Sequence, residues 1–344
     1  MMKKLFIIHI VICAFSFSVS ADDGTSAVRS DTGSAYSDAE PRITSLGDML
    51  TLRTFVRLPI MPISIKPDVG EDETAAQEKA RESAHLHYLP NLPLVVGAGF
   101  NWKWLGGSYA HQAANFGNTG REGRTVSNDV RFYIFKRKFT CDLIYQNYKG
   151  FHLALPSDQH VAARSVYAKR TDMRYVLYEM NIFYIFSDDF SMQAAFEQTE
   201  RQEHWDWSFM GMISAVQYSL EDSISLIPPA SESAFLDNTG FRKGVFRGIA
   251  AGPGFGLTIP VKKYFITAAA FFGSGYMNRR YEVSDGNVRK HDGFYRINVK
   301  ASAGYNGDAF FAGNSFIYNG TGNYSGLRIV NNTYTAELYA GVRL

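Results

Sequence analysis

The sequence predicts an all-β protein, an antiparallel transmembrane β-barrel of about 12–14 strands built from residues 48–344. Three observations carry this. The closing stretch Tyr334–Leu344 alternates, with Tyr334, Ala336, Leu338, Ala340, Val342 and Leu344 on one face and Thr335, Glu337, Tyr339, Gly341 and Arg343 on the other. Strand side chains alternate with period 2, so this segment has an apolar face and a face bearing opposite charges. Second, the N-terminus carries an export signal: Lys3 and Lys4, an apolar run from Leu5 to Phe17, then Val19-Ser20-Ala21 ahead of Asp22-Asp23. Third, 20 Tyr, 26 Phe and 30 Gly go with a mean hydropathy of only -0.16, too polar for a bundle of membrane helices.

In order along the chain, residues 1–21 are expected to be removed as a signal peptide. The apolar run is shorter than the roughly 20 residues a membrane anchor needs. Cys13 follows Ile10, Val11 and Ile12, so it lacks the small preceding residue of a lipidation site. Residues 22–47 are rich in Ser, Thr, Asp and Gly and read as an unstructured polar tail. Strands start near Met49. Residues 66–88, with Glu71-Asp-Glu73 and the Ala-rich run after it, form a charged insertion.

From Leu92 the strands are expected in pairs: Leu94–Asn101 with Lys103–Ala110, Val126–Phe135 with Phe139–Tyr148, and Met173–Phe186 with Phe190–Thr199. Trp207–Leu220 follows, then Val245–Ile259 with Phe265–Tyr276, Phe294–Tyr305 with Phe310–Tyr318, and the closing strand. Short connections at 136–138, 187–189, 260–263 and 306–308 alternate with long polar ones at 112–125, 149–172, 277–292 and 319–332, as in barrels with periplasmic turns and outer loops. Asn306-Gly307 suits the positive backbone angles of a tight hairpin. The strand 295–305 is the clearest, with Tyr295 and Tyr305 bracketing Ile297, Val299, Ala301 and Ala303. The spans number 13, and two successive long connections, 200–206 and 221–244, break the alternation. A single-chain barrel has an even strand number, so one strand is missed or invented. The stretch Ile60–Ile65, a strand within 221–243, or a split of 245–259 are the candidates.

Removal of Lys3 and Lys4 leaves 33 basic against 33 acidic residues, which argues against a nucleic-acid partner. Only Cys141 then remains, so no intramolecular disulfide forms and a closed sheet must hold the chain together. The alternation points ten charges into the lumen: Arg53, Asp129, Arg131, Asp142, Glu179, Glu197, Arg296, Lys300, Glu337 and Arg343; it leaves Arg57 open. Both signs are present. Selective pores favour one sign, so an internal ion-pair network is expected over a permeation path.

No chemistry-bearing motif stands out. His85, His87, His111, His152, His160, His204 and His291 fall in loops or at strand ends, His85-x-His87 lacks further metal ligands, and Gly313-Asn-Ser315 lacks the second glycine of a nucleophile elbow. No catalytic residue, metal ligand or cofactor site is assigned. Trp102, Trp104, Trp205 and Trp207 lie near strand ends, where tryptophan anchors a barrel at the bilayer boundary. The expected function is therefore non-enzymatic: a small channel, or a structural or surface-interaction barrel in the outer membrane. The alternatives are an outer-membrane enzyme with a rim site acting on lipid or peptide, and a soluble exported β protein.

Leu89-Pro-Asn-Leu-Pro-Leu94, Gly97-Ala-Gly-Phe-Asn-Trp-Lys103, Tyr145-Gln-Asn-Tyr-Lys-Gly-Phe151, Phe196-Glu-Gln-Thr-Glu-Arg-Gln202, Ser225-Leu-Ile-Pro-Pro229 and Gly304-Tyr-Asn-Gly-Asp-Ala-Phe-Phe-Ala-Gly313 follow one another in an order that resembles an uncharacterised family of Bacteroidota outer-membrane proteins, DUF4421. The resemblance covers nearly the whole mature chain. It implies an outer-membrane barrel of unknown activity and carries over no catalytic residue. Its partners would be outer-membrane lipid and, during insertion, the barrel-assembly machinery. The chain ends on Leu344 where the usual assembly signal ends on an aromatic residue.

Overall fold

The computed structural model describes residues 41–67, 84–154, 169–235 and 238–344. The expected signal peptide, most of the polar tail and most of the charged insertion lie outside the described residues. The strands are β1 (Ile43–Ser45), β2 (Thr51–Ile60), β3 (Ile63–Lys66), β4 (Leu86–Pro90), β5 (Pro93–Trp102), β6 (Leu105–Asn115), β7 (Val126–Lys136), β8 (Phe139–Leu153), β9 (Lys169–Ile185), β10 (Glu200–Gln202), β11 (Asp206–Glu221), β12 (Lys243–Val261), β13 (Tyr264–Val283), β14 (Gly286–Asn306), β15 (Phe310–Asn323) and β16 (Arg328–Arg343). Three one-turn helices accompany them among the described residues: α1 (Thr119–Glu122), α2 (Met192–Phe196) and α3 (Glu232–Phe235).

All strands except β1 and β10 belong to one antiparallel 14-stranded sheet. It closes on itself, because β16 pairs with β15 and also with β2, from Tyr334 opposite Ile60 to Arg343 opposite Thr51. Closure removes the unpaired edges that an open sheet exposes. The ring has two tiers. The lower circuit runs through β2, β5 to β9 and β11 to β16. At Met61-Pro62 the chain leaves β2, and β3 continues along β16 from Ile63 opposite Asn331 to Lys66 opposite Arg328. β4 then bridges β3 to the far end of β8, with Tyr88 opposite both Ile63 and Leu153. The upper circuit thus bypasses β5, β6 and β7.

The alternation keeps one phase through both tiers, but the polarity of its two faces changes between them. Along most of β13 the outward residues are Tyr264, Ile266, Ala268, Ala270, Phe272 and Tyr276, an aromatic-bounded apolar stripe. Twelve residue steps cover about 40 Å of strand, or about 30 Å across a membrane at the tilt usual for barrels. Above it the polarity largely inverts: Asn278 and Arg280 face outward, while Met277 and Tyr281 are buried inside with Arg279 between them, paired with Asp292 at 3.4 Å. β12 inverts between Ile249, outward, and Phe246 and Arg247, which point in and out respectively. β9 does so at Arg174 and Tyr175. An apolar outside with a polar inside suits surrounding lipid, and the reverse suits water. Trp102, Trp104, Trp205 and Trp207 are exposed towards the turn end.

Several expectations are corrected. Phe190–Thr199 is not a strand: it folds as α2 and its flanks, leaving twelve strands in the lower circuit. Phe190, Met192, Ala194 and Phe196 mimic period 2, but Ser191 Oγ accepts from Ala194 N at 3.0 Å and starts a helical turn in Met-Gln-Ala-Ala. Among its described residues the region 221–243 holds no additional strand between β11 and β12; it contains a 3-10 turn at Pro229–Ser231 and α3. The segment 245–259 is not split but lies within β12. The tail is not unstructured throughout, since β1 pairs with β10, Ile43 opposite Gln202, and Leu46 is buried. The expected loops 277–292 and 319–332 are largely hairpin extensions of β13 to β16, polar on their outer faces and so without the apolar stripe that marks a spanning strand.

Candidate functional site: the filled lumen

Among the described residues, buried side chains form three successive layers in the interior. At the turn end, the connection between β9 and β11 folds into the barrel. Phe190, Met192, Ala194 and Ala195 are buried, and Phe190 and Met192 pack with the inward Phe183, Met210, Met212 and Phe271. A segment turned inward leaves carbonyls without helix or sheet partners, and buried carbonyls must be met. Inward side chains of the wall meet them: Asn306 Nδ2 donates to Ala194 O at 3.1 Å and to Glu200 O at 2.9 Å, Asn101 Nδ2 to Glu197 O at 2.7 Å, and Arg53 Nη1 to Phe196 O at 3.2 Å. Arg343 Nη2 donates to Gln198 O at 2.6 Å. Gln198 holds a left-handed φ of 55°, fixed by donation of its amide to Ala195 O at 2.7 Å. β10 then pairs with β1. Outside, Asp308 in the β14 to β15 turn is bonded by Lys263 and Arg201, which draw its carboxyl down to about 2.

The waist is a charge network. Glu337 on β16 accepts from both Arg53 and Arg57 on β2, which face it because Arg53 lies opposite Gly341 and Arg57 opposite Glu337. Arg57 Nη1 also lies 3.5 Å from Asp129. Arg131 grips Asp129 with two bonds of 2.8 Å, and Gln146 Nε2 donates to the same carboxylate at 2.8 Å. Across the lumen Lys300 Nζ donates to Asp142 at 2.6 Å, and Arg296 bonds Glu179 and donates to Thr321 Oγ1 at 2.8 Å. Such pairing is what allows charges to be buried at all.

All ten charges expected inside are thus placed. Eight join ion pairs: Arg53, Asp129, Arg131, Asp142, Glu179, Arg296, Lys300 and Glu337. Glu197 lies on the folded-in segment rather than on a strand, and its Oε2 has no hydrogen-bond partner. Burial pushes its carboxyl up to about 8; Arg53 and Lys300 oppose the rise, and Asp142 and Glu337 add to it. Arg343 holds carbonyls instead of a carboxylate. Arg57, left open by the sequence, is a full member. Sequence reasoning missed the buried Arg170–Asp222 pair, 3.0 Å apart, because Asp222 stands in a loop that caps the lumen.

At the loop end the interior is an apolar core. Tyr175, Tyr218, Phe246 and Tyr281 stack in sequence across β9, β11, β12 and β13, with centroid separations of 6.1, 4.8 and 6.5 Å. Leu226, Ile227, Phe235 and Phe241 of the β11 to β12 connection seal it from above, all buried. Between this core and the waist, a polar void of about 10 Å³ lined by Arg131, Gln146, Glu179, Arg296 and Asn331 is room for one water molecule. Ser64 Oγ and His87 Nδ1 lie 2.8 Å apart where β3 meets β4, a hydroxyl–imidazole contact on the outer face.

Among solved structures, the chain is similar to the outer membrane protease OmpT from Escherichia coli, with 9% identity, 88% of this chain and 98% of that one covered, and a TM-score of 0.40. It is also similar to the β domain of the Bordetella autotransporter BrkA, at 11% identity, 83% and 98% coverage and a TM-score of 0.33. A third is the Pseudomonas putida toluene transporter TodX, at 10%, 86% and 90%, and 0.28. Likeness this remote transfers no activity. No curated protein matches. The family model for a domain of unknown function, DUF4421, matches residues 43–344, and the chain belongs to that family.

Proposed function

We propose that the protein is a membrane-embedded, non-enzymatic barrel of the outer membrane that does not conduct, and that acts as a structural or surface-interaction protein through its wall and its loop end. The supporting observation for the membrane is the change of polarity along the outer face of the strands: an apolar outer stripe bounded by aromatics, with Trp at the turn end. The observation that carries the non-conducting reading is the filled lumen. A pore needs a continuous water path, whereas here a hydrogen-bonded segment, paired charges and a ring stack lie in series.

Planar-bilayer recording of the refolded protein tests this. No reproducible openings are expected over the usual range of voltage. Deletion of residues 190–199 is expected to leave conductance absent, because the loop-end core still blocks the path. Reproducible unit openings of the intact protein would overturn the reading in favour of a channel.

A further inference from the structure

The outer wall carries a built groove at the level where the side-chain pattern inverts. The pairing places Phe132, Leu143, Met180, Ala215, Ile249 and Tyr276 in one outward row across β7, β8, β9, β11, β12 and β13. Ala215 is the small member, so the row sags at β11. The result is a groove of about 710 Å³ on the outer face. Its rim is the next row towards the loops, where Tyr178, Gln217, Arg247 and Asn278 stand side by side. The groove is therefore apolar on its membrane side and polar on its loop side.

Charge accounting on that rim and the two outward rows beyond it, which hold Arg280 with Arg289 and then Arg174, is unbalanced. The outward carboxylates nearby are already engaged: Asp172 with Lys149, Glu221 with Lys243 at 3.2 Å, and Glu282 with Arg242 at 3.2 Å. Arg174, Arg247, Arg280 and Arg289 have no carboxylate partner among the described residues, and all four are exposed. Arg174 and Arg247 donate only to the neutral Asn147 and Gln217. Arg280 sits directly opposite Arg289 on adjacent strands. Like charges in that position repel, and a bridging anion turns the repulsion into attraction. Guanidinium groups are suited to bind a phosphate through paired N–H donors.

We propose that this groove is a binding site for one phosphorylated lipid of the loop-side leaflet, with its acyl chains over Ala215 and its phosphate monoester between Arg247, Arg280 and Arg289. The proposal rests on the membrane-embedded reading above and adds to it a specific lipid class and seat. The leaflet supplies the occupant because the apolar row faces the same surroundings as the rest of the outer stripe, and a free phosphate would leave that row uncovered.

Native mass spectrometry of the full-length protein, refolded in phosphatidylcholine vesicles and released with lipid, tests it with lipid A as the probe. One lipid A per barrel is expected to be retained in excess phosphatidylcholine, and its dephosphorylated form about tenfold less, as for loss of a charge-assisted contact. Arg247→Ala with Arg280→Ala is expected to lower retention by about tenfold or more on the same basis, and Arg247→Lys with Arg280→Lys to restore part of it. Ala215→Trp, which fills the groove floor, is expected to abolish retention. Inorganic phosphate in excess is expected not to displace the lipid. Retention indifferent to phosphorylation, to the arginines or to Ala215→Trp would overturn the proposal. The arginine variants change exposed side chains, so they report even where the tryptophan variant does not fold, with the gel shift on boiling as the folding control. A protein that fails to enter vesicles at all would instead overturn the membrane reading.

Discussion

At the turn end the lumen is closed by a folded-in segment whose carbonyls are held one by one by Arg53, Asn101, Asn306 and Arg343, whereas at the loop end it is closed by rings stacked on rings. The first closure is directional. Each bond has one donor and one acceptor, and loss of either leaves a buried group unmet. The second is additive and tolerant, since its strength scales with the apolar area removed from water. The paired charges of the waist stand between the two. They stabilise the barrel only as a set, because removing one partner leaves another buried and uncompensated. The molecule thus separates a closure that fixes one geometry from a closure that supplies bulk stability.

The largest effect is expected at Glu337, the carboxylate that Arg53 and Arg57 share, although Arg57 keeps Asp129 at 3.5 Å. Glu337→Ala leaves Arg53 and Arg57 facing each other across the space it held. A loss of about 3–5 kcal/mol is expected, read as a lower temperature for the gel shift on boiling. An unchanged transition would show that water enters the waist freely and that the network is ornamental to stability.

Next is the comparison of the two closures. Phe246→Ala removes the ring between Tyr218 and Tyr281 and is expected to cost about 3–4 kcal/mol of barrel stability. Asn306→Ala removes the bonds to Ala194 O and Glu200 O and is expected to cost about 1–3 kcal/mol. The two should also differ in place. By hydrogen exchange, Asn306→Ala is expected to expose amides of residues 193–200 while the strands stay protected; Phe246→Ala is expected to loosen the loop-end strands together. Reversal of that pattern would break the distinction drawn between directional and additive closure.

A test of another kind concerns pH. Glu197 lies in the connection between β9 and β11, outside the spanning strands, and its carboxyl is raised to about 8 by burial. The folded state therefore holds a proton that the unfolded chain releases near its ordinary value of 4.5. Between those values the folded form binds more protons, so the stability of the folded-in segment falls as pH rises from about 4.5 to about 8 and levels off above. Glu197→Gln is expected to flatten this slope and to slow exchange of the neighbouring amides at pH 8. A slope that survives the substitution would assign the titration to another group.

The spanning parts of the strands were legible because lipid on one side and a polar interior on the other impose a period of 2, as at 295–305 and 334–344. Arg53, Asp129, Arg131, Asp142 and Glu337 could be given a face by that rule. Three things were not legible. Phe190–Phe196 alternates without being a strand, because its apolar residues pack inside the barrel on a helical turn and not against lipid. The extensions above residue 277 alternate with inverted polarity, so Tyr281 inside and Arg280 outside looked like a loop. The groove depends on which residues line up across six strands, and register between distant strands is set by pairing that no single segment encodes.

The pairing of β16 with both β2 and β3 has a kinetic consequence. Arg57 and Glu337 are partners separated by 280 positions along the chain. Contacts of such long range are slow to form, since the loop entropy must be lost before the contact rewards it. Every hairpin from β5 to β15 can zip locally, but the ring waits for its last strand, and so β2 and β3 spend the assembly as an open template. Closing this one seam, not zipping the hairpins around it, is therefore the step of folding that carries the longest loop.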